Sequence, residues 1–78
     1  NVKFRKAFLE ECNFRDAKIY NADFSDAKMK KVDLRKMELM ESSFYHTDLT
    51  EANLDKAKIK NTDFKNAKLL KVIGNKPS

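Results

Sequence analysis

The sequence predicts an all-β fold in which the chain turns a corner every five residues and winds into a four-sided coil. Three observations predict it. A large apolar residue falls at every fifth position from Phe4 to Leu69 without a break. A second, mostly small residue stands two places before each of them. Glycine and proline, the usual punctuation of turns, occur only at Gly74 and Pro77, so the corners must be made by other residues.

A period of five suits neither regular element. A helix advances about 100° per residue, so five residues scatter these side chains around its axis. A strand alternates faces, so an odd step sends each large residue to the opposite side. The pattern works when a short extended piece points positions i−2 and i inward and the chain then turns before the next five. A chain that always turns the same way becomes a coil, and stacked coils bury one column of side chains.

The first coil takes Phe4, Leu9, Phe14 and Ile19, and the second Phe24, Met29, Leu34 and Leu39. Phe44, Leu49, Leu54 and Ile59 form the third, and Phe64 and Leu69 begin the next. Phe4, Phe24, Phe44 and Phe64 are twenty apart, which makes four fives the length of one coil. Leu9–Met29–Leu49–Leu69, Phe14–Leu34–Leu54 and Ile19–Leu39–Ile59 then stack as three further columns, about three and a half coils tall at a strand spacing of about 4.8 Å. The small column holds Ala7, Cys12, Ala17, Ala22, Ala27, Ser42, Thr47, Ala52, Ala57, Thr62 and Ala67, with Val2, Val32, Met37 and Val72 as its larger members. The expected organisation is one coiled domain over residues 1–73 and a polar tail over 74–78. Leu70, Val72 and Ile73 are expected to fold over the last coil as a partial lid.

Within this pattern "ADFSD", "ANLDK", "VDLRK", "TDLTE" and "TDFKN" resemble the repeat of the pentapeptide-repeat family, roughly Ala-Asp/Asn-Leu/Phe-X-X, over residues 2–73. The resemblance implies a right-handed quadrilateral β-helix, a pentapeptide-repeat solenoid. Lys18, Lys28, Lys58 and Lys68 depart from it, standing where the family has Asp or Asn. Some members of the family imitate duplex DNA and bind DNA gyrase, giving quinolone resistance. That activity needs acidic charge along the rod, whereas this chain carries a net charge of +5.

The charge alternates between coils instead of forming a stripe. Residues 17–36 sum to +3, 37–56 to −4 and 57–76 to +5. The same alternation runs down the columns Lys18–Glu38–Lys58, Lys28–Asp48–Lys68 and Glu11–Lys31–Glu51–Lys71. Opposite charges on neighbouring strands are worth roughly 0.2–1 kcal/mol each, and a slip of one coil would bring like charges together. Duplex DNA is not expected as a partner, because its binders gather cations along one surface.

The inventory for chemistry is short. His46 is the one histidine and is expected at an outward corner without a nucleophile or metal partner. Cys12 is expected as a packed thiol in the small column; its solitude excludes an intramolecular disulfide and fits a reducing, cytoplasmic compartment. Glu10/Glu11 and Asp23/Asp26 lack the convergent oxygen ligands of a cation site. No phosphate loop, zinc spacing or nucleophile motif is present. No catalytic, cofactor-binding or metal-binding residue is therefore assigned and no cofactor is expected. Apolar runs are too short for a membrane span.

The remaining clue is exposed apolar surface. Tyr20 and Met40 should stack in one outward column with Tyr45 around the next corner, a surface suited to protein contact. Val2, Phe4 and Ala7 begin an uncapped coil that offers an end-to-end contact and self-association. The chain starts at Asn1 without an initiator methionine, so trimming from a longer parent is expected. The function expected is a non-catalytic structural or protein-interaction module, part of a longer chain or assembly, with gyrase-binding DNA mimicry as the alternative.

Overall fold

A computed structural model of the chain describes residues 2–74. Among the described residues the regular elements are all short strands: β1 (Val2–Lys3), β2 (Lys18–Tyr20), β3 (Ala22–Asp23), β4 (Glu38–Met40) and β5 (Lys58–Lys60). All pair in parallel, β1 with β3 and β4 between β2 and β5. Isolated bridges complete the ladders, such as Phe8 with Lys28, Asn13 with Asp33, Ser43 with Asp63 and Asp48 with Lys68. Every one of these pairs joins residues twenty apart, the register expected from the phenylalanines.

Backbone hydrogen bonds fix that register in both directions. The central residue of each five donates to the coil that follows it, as Phe24 does to Ser43 (2.8 Å) and Leu49 to Lys68 (2.9 Å). The residue before the centre donates back to the coil that precedes it, as Lys28 does to Ala7 and Asp48 to Ala27. Burying so many peptide groups is tolerable because each finds a partner one coil away.

The corners have a specific backbone origin. The second residue after each centre lies in the left-handed region, from Lys6 (φ 61°) and Glu11 (φ 59°) through to Lys71 (φ 56°). At most corners the centre's carbonyl accepts from the amide three residues on, as Phe4 does from Ala7 at 2.9 Å. A negative and then a positive φ inside such a bond is the type II arrangement, which ordinarily calls for glycine. Here lysine, glutamate, aspartate, asparagine and histidine take the position, at a cost of roughly 1–2 kcal/mol for each residue that is not glycine or asparagine.

The corner after Ile19, Leu39 and Ile59 is built differently. The Ala22 amide donates to the Ser42 hydroxyl at 3.0 Å, and that hydroxyl donates to the Met40 carbonyl at 2.9 Å. Thr62 repeats the arrangement one coil later, its hydroxyl donating to the Lys60 carbonyl at 3.0 Å. Ser42 and Thr62 thus sit in the small column because a hydroxyl there supplies the acceptor that the missing turn bond would have provided.

The core is the expected column. Phe24, Met29, Leu34, Leu39, Phe44, Leu49 and Leu54 are fully buried, with Val32, Met37 and Ala52 between them. The phenylalanine rings stack in parallel, at 4.9 Å from Phe4 to Phe24, 4.7 Å to Phe44 and 5.1 Å to Phe64. The strand repeat alone sets these distances, and they fall in the favourable range for offset rings. Phe14 meets Phe4 and Phe24 edge-on at 6.0 and 6.1 Å. Full burial stops at the middle coils: Phe4, Leu9, Phe14 and Ile19 at one end, and Ile59, Phe64, Leu69 and Val72 at the other, are only half-buried.

The expected lid is corrected by the structure. Leu70, Val72 and Ile73 do not fold over the last coil; they continue it. The Leu70 carbonyl accepts from Glu51 at 2.8 Å, Ile73 pairs with Asn53, and Val72 packs against the core, leaving Leu70 and Ile73 exposed. The period reaches Val72, so laddered hydrogen bonds outcompete a fold-back that would leave those peptides unpaired. Gly74 lies so close to the Asp55 backbone that a Cβ would meet it at 2.6 Å, at a φ of 90°. Of the polar tail expected over 74–78, only Gly74 is among the described residues.

Two predictions follow from this packing. Phe44→Ala removes the ring between two others and should cost about 3–5 kcal/mol, read as a fall in the urea midpoint; a midpoint close to the parent's would contradict the ring stack. Lys36→Gly relieves a left-handed lysine (φ 57°) on an exposed corner. It should gain about 0.5–1 kcal/mol after the entropy of glycine is counted, and a loss of stability would show that the corner is unstrained.

Candidate functional site

The outward residue before each centre has a backbone role wherever it is Asp, Asn or Ser. Asp23 accepts from the Ser25 amide at 2.9 Å, Asp63 from Lys65 at 2.8 Å, and Asn13 from Arg15 at 2.8 Å. Asn53 and Ser43 do the same for Asp55 and Tyr45. Each is an Asx- or Ser-type turn that satisfies the amide entering the corner. Asp33 adds a bidentate pair, accepting from Arg35 Nε and Nη2 at 2.9 Å each.

This role corrects part of the charge-ladder expectation. The column Lys28–Asp48–Lys68 is present as bridges, but Asp48 Oδ1 is engaged by Thr50, accepting its hydroxyl at 2.6 Å and its amide at 3.1 Å. The Thr50 hydroxyl is the main cause that holds the Asp48 carboxyl below its ordinary value, with Lys68 and Lys30 adding less. Side-chain hydrogen bonds lower Asp23 through Ser25, and Asp33 through Arg35, in the same way. The column Lys18–Glu38–Lys58 does carry an ion pair, Lys18 to Glu38 at 3.9 Å, on exposed side chains where such a pair is weak.

The side face holds the expected contact residues. Tyr20 and Met40 are paired across β2 and β4, and Tyr20 is 60% exposed. Its hydroxyl donates to Glu41 Oε1 at 3.2 Å, and that bond and the carboxylate's charge raise the phenol above its ordinary value. Tyr45 is exposed beyond the corner, its ring stacked on His46 at 4.5 Å and 10°. His46 Nδ1 stands 3.7 Å from Asp26 Oδ1, beyond hydrogen-bond distance, on a half-exposed side chain. An open recess of about 370 Å³ runs along the corner between Tyr20–Met40 and Tyr45, lined by Val2, Lys3, Asn21, Asp23, Glu41 and Ser43 among others.

Phe8 was missed by the sequence reading. It is 75% exposed, in the outward column with Lys28. Its phase, one residue before Leu9, marked it as outward in the same way that Lys18 was marked. Cys12 is half-buried against the core, as expected. At the uncapped end, Val2 is exposed and paired with Ala22, while Phe4 and Ala7 are half-buried. Among the described residues no group of three or more His, Cys, Asp or Glu side chains is placed to hold a metal ion. No helix of the described residues is long and apolar enough to cross a membrane.

The profile of the pentapeptide repeat region matches residues 1–72. The chain belongs to the pentapeptide-repeat family. No curated protein sequence matches it. Among solved structures it is similar to a pentapeptide repeat protein from the Arabidopsis thaliana thylakoid lumen, with 28% identity and a TM-score of 0.86 over 88% of this chain and 48% of that one. The chain thus spans about half the length of that relative. HetL, a pentapeptide repeat protein involved in heterocyst differentiation regulation in a Nostoc cyanobacterium, aligns at 20% identity and a TM-score of 0.45, over 99% of this chain and 40% of its own. A solenoid-like β-fold of this family is therefore the frame on which the surface is carried.

Two substitutions at Asp48 separate its contributions. Asp48→Asn keeps an acceptor for the Thr50 amide and removes the charge, so its cost should be small and should shrink in salt. Asp48→Ala loses the acceptor as well and should cost about 1 kcal/mol more at any ionic strength. Equal losses in urea titrations would mean that the bond to Thr50 contributes nothing.

The lowered carboxyls also set an acid limit. Their folded values lie below the unfolded value of about 3.9, so their contribution is complete above that value and is lost as pH falls through the folded values. The melting temperature should therefore hold from neutrality to about pH 5 and drop below about pH 4. Asp48→Asn should flatten that drop, and an unchanged acid profile would remove Asp48 from the account.

Proposed function

We propose that this pentapeptide-repeat chain is a non-catalytic structural or protein-interaction module. It is a right-handed quadrilateral β-helix of about three and a half coils over residues 1–73, followed by a polar tail over 74–78. The observation that carries the reading is the exposed Tyr20–Met40 pair, flanked by Tyr45, on a face held rigid by the buried column behind it. Aromatic residues and methionine are enriched at protein contacts, and a surface already ordered loses little entropy on binding. The repeat scaffold supplies position, and the outward residues supply specificity.

The charge supports this reading over DNA mimicry. A mimic needs a continuous acidic surface, but the chain has pI ≈ 9.4 and Lys18, Lys28, Lys58 and Lys68 in outward columns. Duplex DNA binding is opposed by Glu38, Asp48 and Glu51, which interrupt those cations. A cytoplasmic location rests on the single Cys12 alone. The thylakoid lumen belongs to the Arabidopsis relative.

The test is photo-crosslinking in extracts of the source cells. A photoreactive residue at Tyr20 or Met40 should trap one defined protein, and the same residue at Lys36 or Lys56 should not. Equal labelling from all four positions would refute the Tyr20–Met40 surface. In a supercoiling assay the chain should neither inhibit DNA gyrase nor protect it from quinolones; potent action on gyrase would reverse the ranking.

A further inference from the structure

Exposed aromatic and acidic residues meet on one corner of the two middle coils. Residues 19–27 and 39–47 are stacked there, Tyr20 on Met40 and Asp23 on Ser43. They contain neither lysine nor arginine, in a chain that has 17 of the two together. Asp23, Asp26 and Glu41 stand in them instead. On the same corner Tyr20, Met40 and Tyr45 are exposed, while Phe24, Leu39 and Phe44 behind them are fully buried. A described coil stands on either side, so this surface is ordered without any further chain.

Glu41 joins the two kinds of surface. Its Oε1 accepts from the Tyr20 hydroxyl at 3.2 Å, which holds a carboxylate at the edge of an exposed ring. The recess of about 370 Å³ opens beside this pair, with Asp23, Glu41 and Ser43 from the two coils in its lining. A guanidinium is flat, so it stacks on an aromatic face, and its forked N–H groups match a carboxylate. An ammonium is a strongly hydrated point charge and makes poorer use of a ring with a carboxylate at its edge. A purely apolar partner would cover the carboxylates without answering their charge.

We propose that this corner docks an arginine side chain of a partner protein, its guanidinium lying on the Tyr20 ring and donating to Glu41. Met40 and Tyr45 then border the apolar stem of that arginine and the residues beside it. The proposal rests on the reading of Tyr20–Met40 as a protein contact and adds the chemistry of the partner.

The surroundings limit how many cations the partner brings. Lys3 and Arg5 stand exposed on the coil before, and Lys60 and Lys65 on the coil after. Lys60 is paired with Met40, and Lys3 with Asp23, on the strand ladders. A run of basic residues laid along the axis of the coil would meet these cations, so the segment that fits holds one arginine among neutral residues. Nucleic acids and anionic membranes bring the wrong sign. Glu10, Glu11 and Glu51 line another recess, but Lys30 and Lys31 line it with them and no aromatic ring does.

The probe is the blocked peptide Gly-Ser-Arg-Ser-Gly, compared with the same peptide carrying lysine or glutamine in place of arginine. The arginine peptide should shift amide resonances within 19–27 and 39–47, and its binding should weaken as salt rises. Glu41→Gln and Tyr20→Ala should each weaken it by about fivefold or more, while Glu10→Gln should stay within about twofold. All three replaced side chains are exposed, and thermal melts establish that the variants fold. Two further arginines in the peptide should gain no more than a statistical factor of about three. The proposal is overturned if the lysine or glutamine peptide binds as tightly, if no peptide binds, or if the shifts centre on Glu10, Glu11 and Glu51. It is also overturned if Glu41→Gln binds as the parent does. A partner crosslinked from Met40 equally well in the Glu41→Gln chain would leave the contact surface standing and overturn the arginine alone. Growth with concentration in sedimentation, abolished by Glu41→Gln, would overturn a separate partner in favour of an arginine from a second copy.

Discussion

The hydrogen bonds between coils, each joining residues about twenty apart, are the constraint on which the remaining structure depends. They run in both directions from every five-residue unit, so no coil can slide against its neighbour without breaking a whole ladder. Once that register is set, ring follows ring in the phenylalanine column at the strand spacing, and the small residues pack in the core between the large ones. The left-handed corner residues are a consequence rather than a cause. Lysine and glutamate have no preference for positive φ, and they are held there because four corners must fit into twenty residues.

The same constraint explains why the outward positions are less free than their exposure suggests. An amide enters each corner, and it is satisfied where an Asp, Asn or Ser precedes the centre. The family's preference for Asp or Asn at that place is thus a backbone requirement that also leaves negative charge on the surface. Replacing it with Lys18, Lys28, Lys58 and Lys68 gives up that acceptor and reverses the charge at one stroke. Where lysine stands at this place, surface electrostatics and corner geometry therefore change together, whereas an exchange of Asp for Asn alters the charge and keeps the acceptor.

The column and its register were legible because burial imposes one residue type at one phase, and the phase is visible in a line of letters. Phe24, Phe44 and Leu54 could be placed from spacing alone. What spacing could not show was the competition for side-chain atoms. Asp48 looked like the middle of an ion ladder, yet a hydroxyl two residues away is nearer than a lysine one coil away, and Thr50 takes the carboxylate. Leu70, Val72 and Ile73 looked like a lid because an apolar cluster near a chain end suggests one, but the ladder bonds open to them in sequence outweighed a fold-back. The exposed apolar residues were legible only in part: Tyr20 and Met40 were placed in one outward column by their spacing, whereas Phe8 shared their logic and was passed over.

A solenoid has no centre from which stability spreads. Each coil is stabilised by the two beside it, and an end coil has only one such neighbour. Here the difference is visible as burial, complete over residues 22–54 and partial on either side. Among the described residues, the coils on either side of 22–54 are therefore where local opening costs least. Any coil or chain that covers Phe64 and Leu69 completes a core position, so packing and folding share one free energy there. The lateral Tyr20–Met40 face has no such coupling, because the residues behind it include fully buried Leu39. Full burial at Leu39 and partial burial at Phe64 and Leu69 thus set apart, within one small coil, a stretch that is already ordered and a stretch whose order depends on what packs against it.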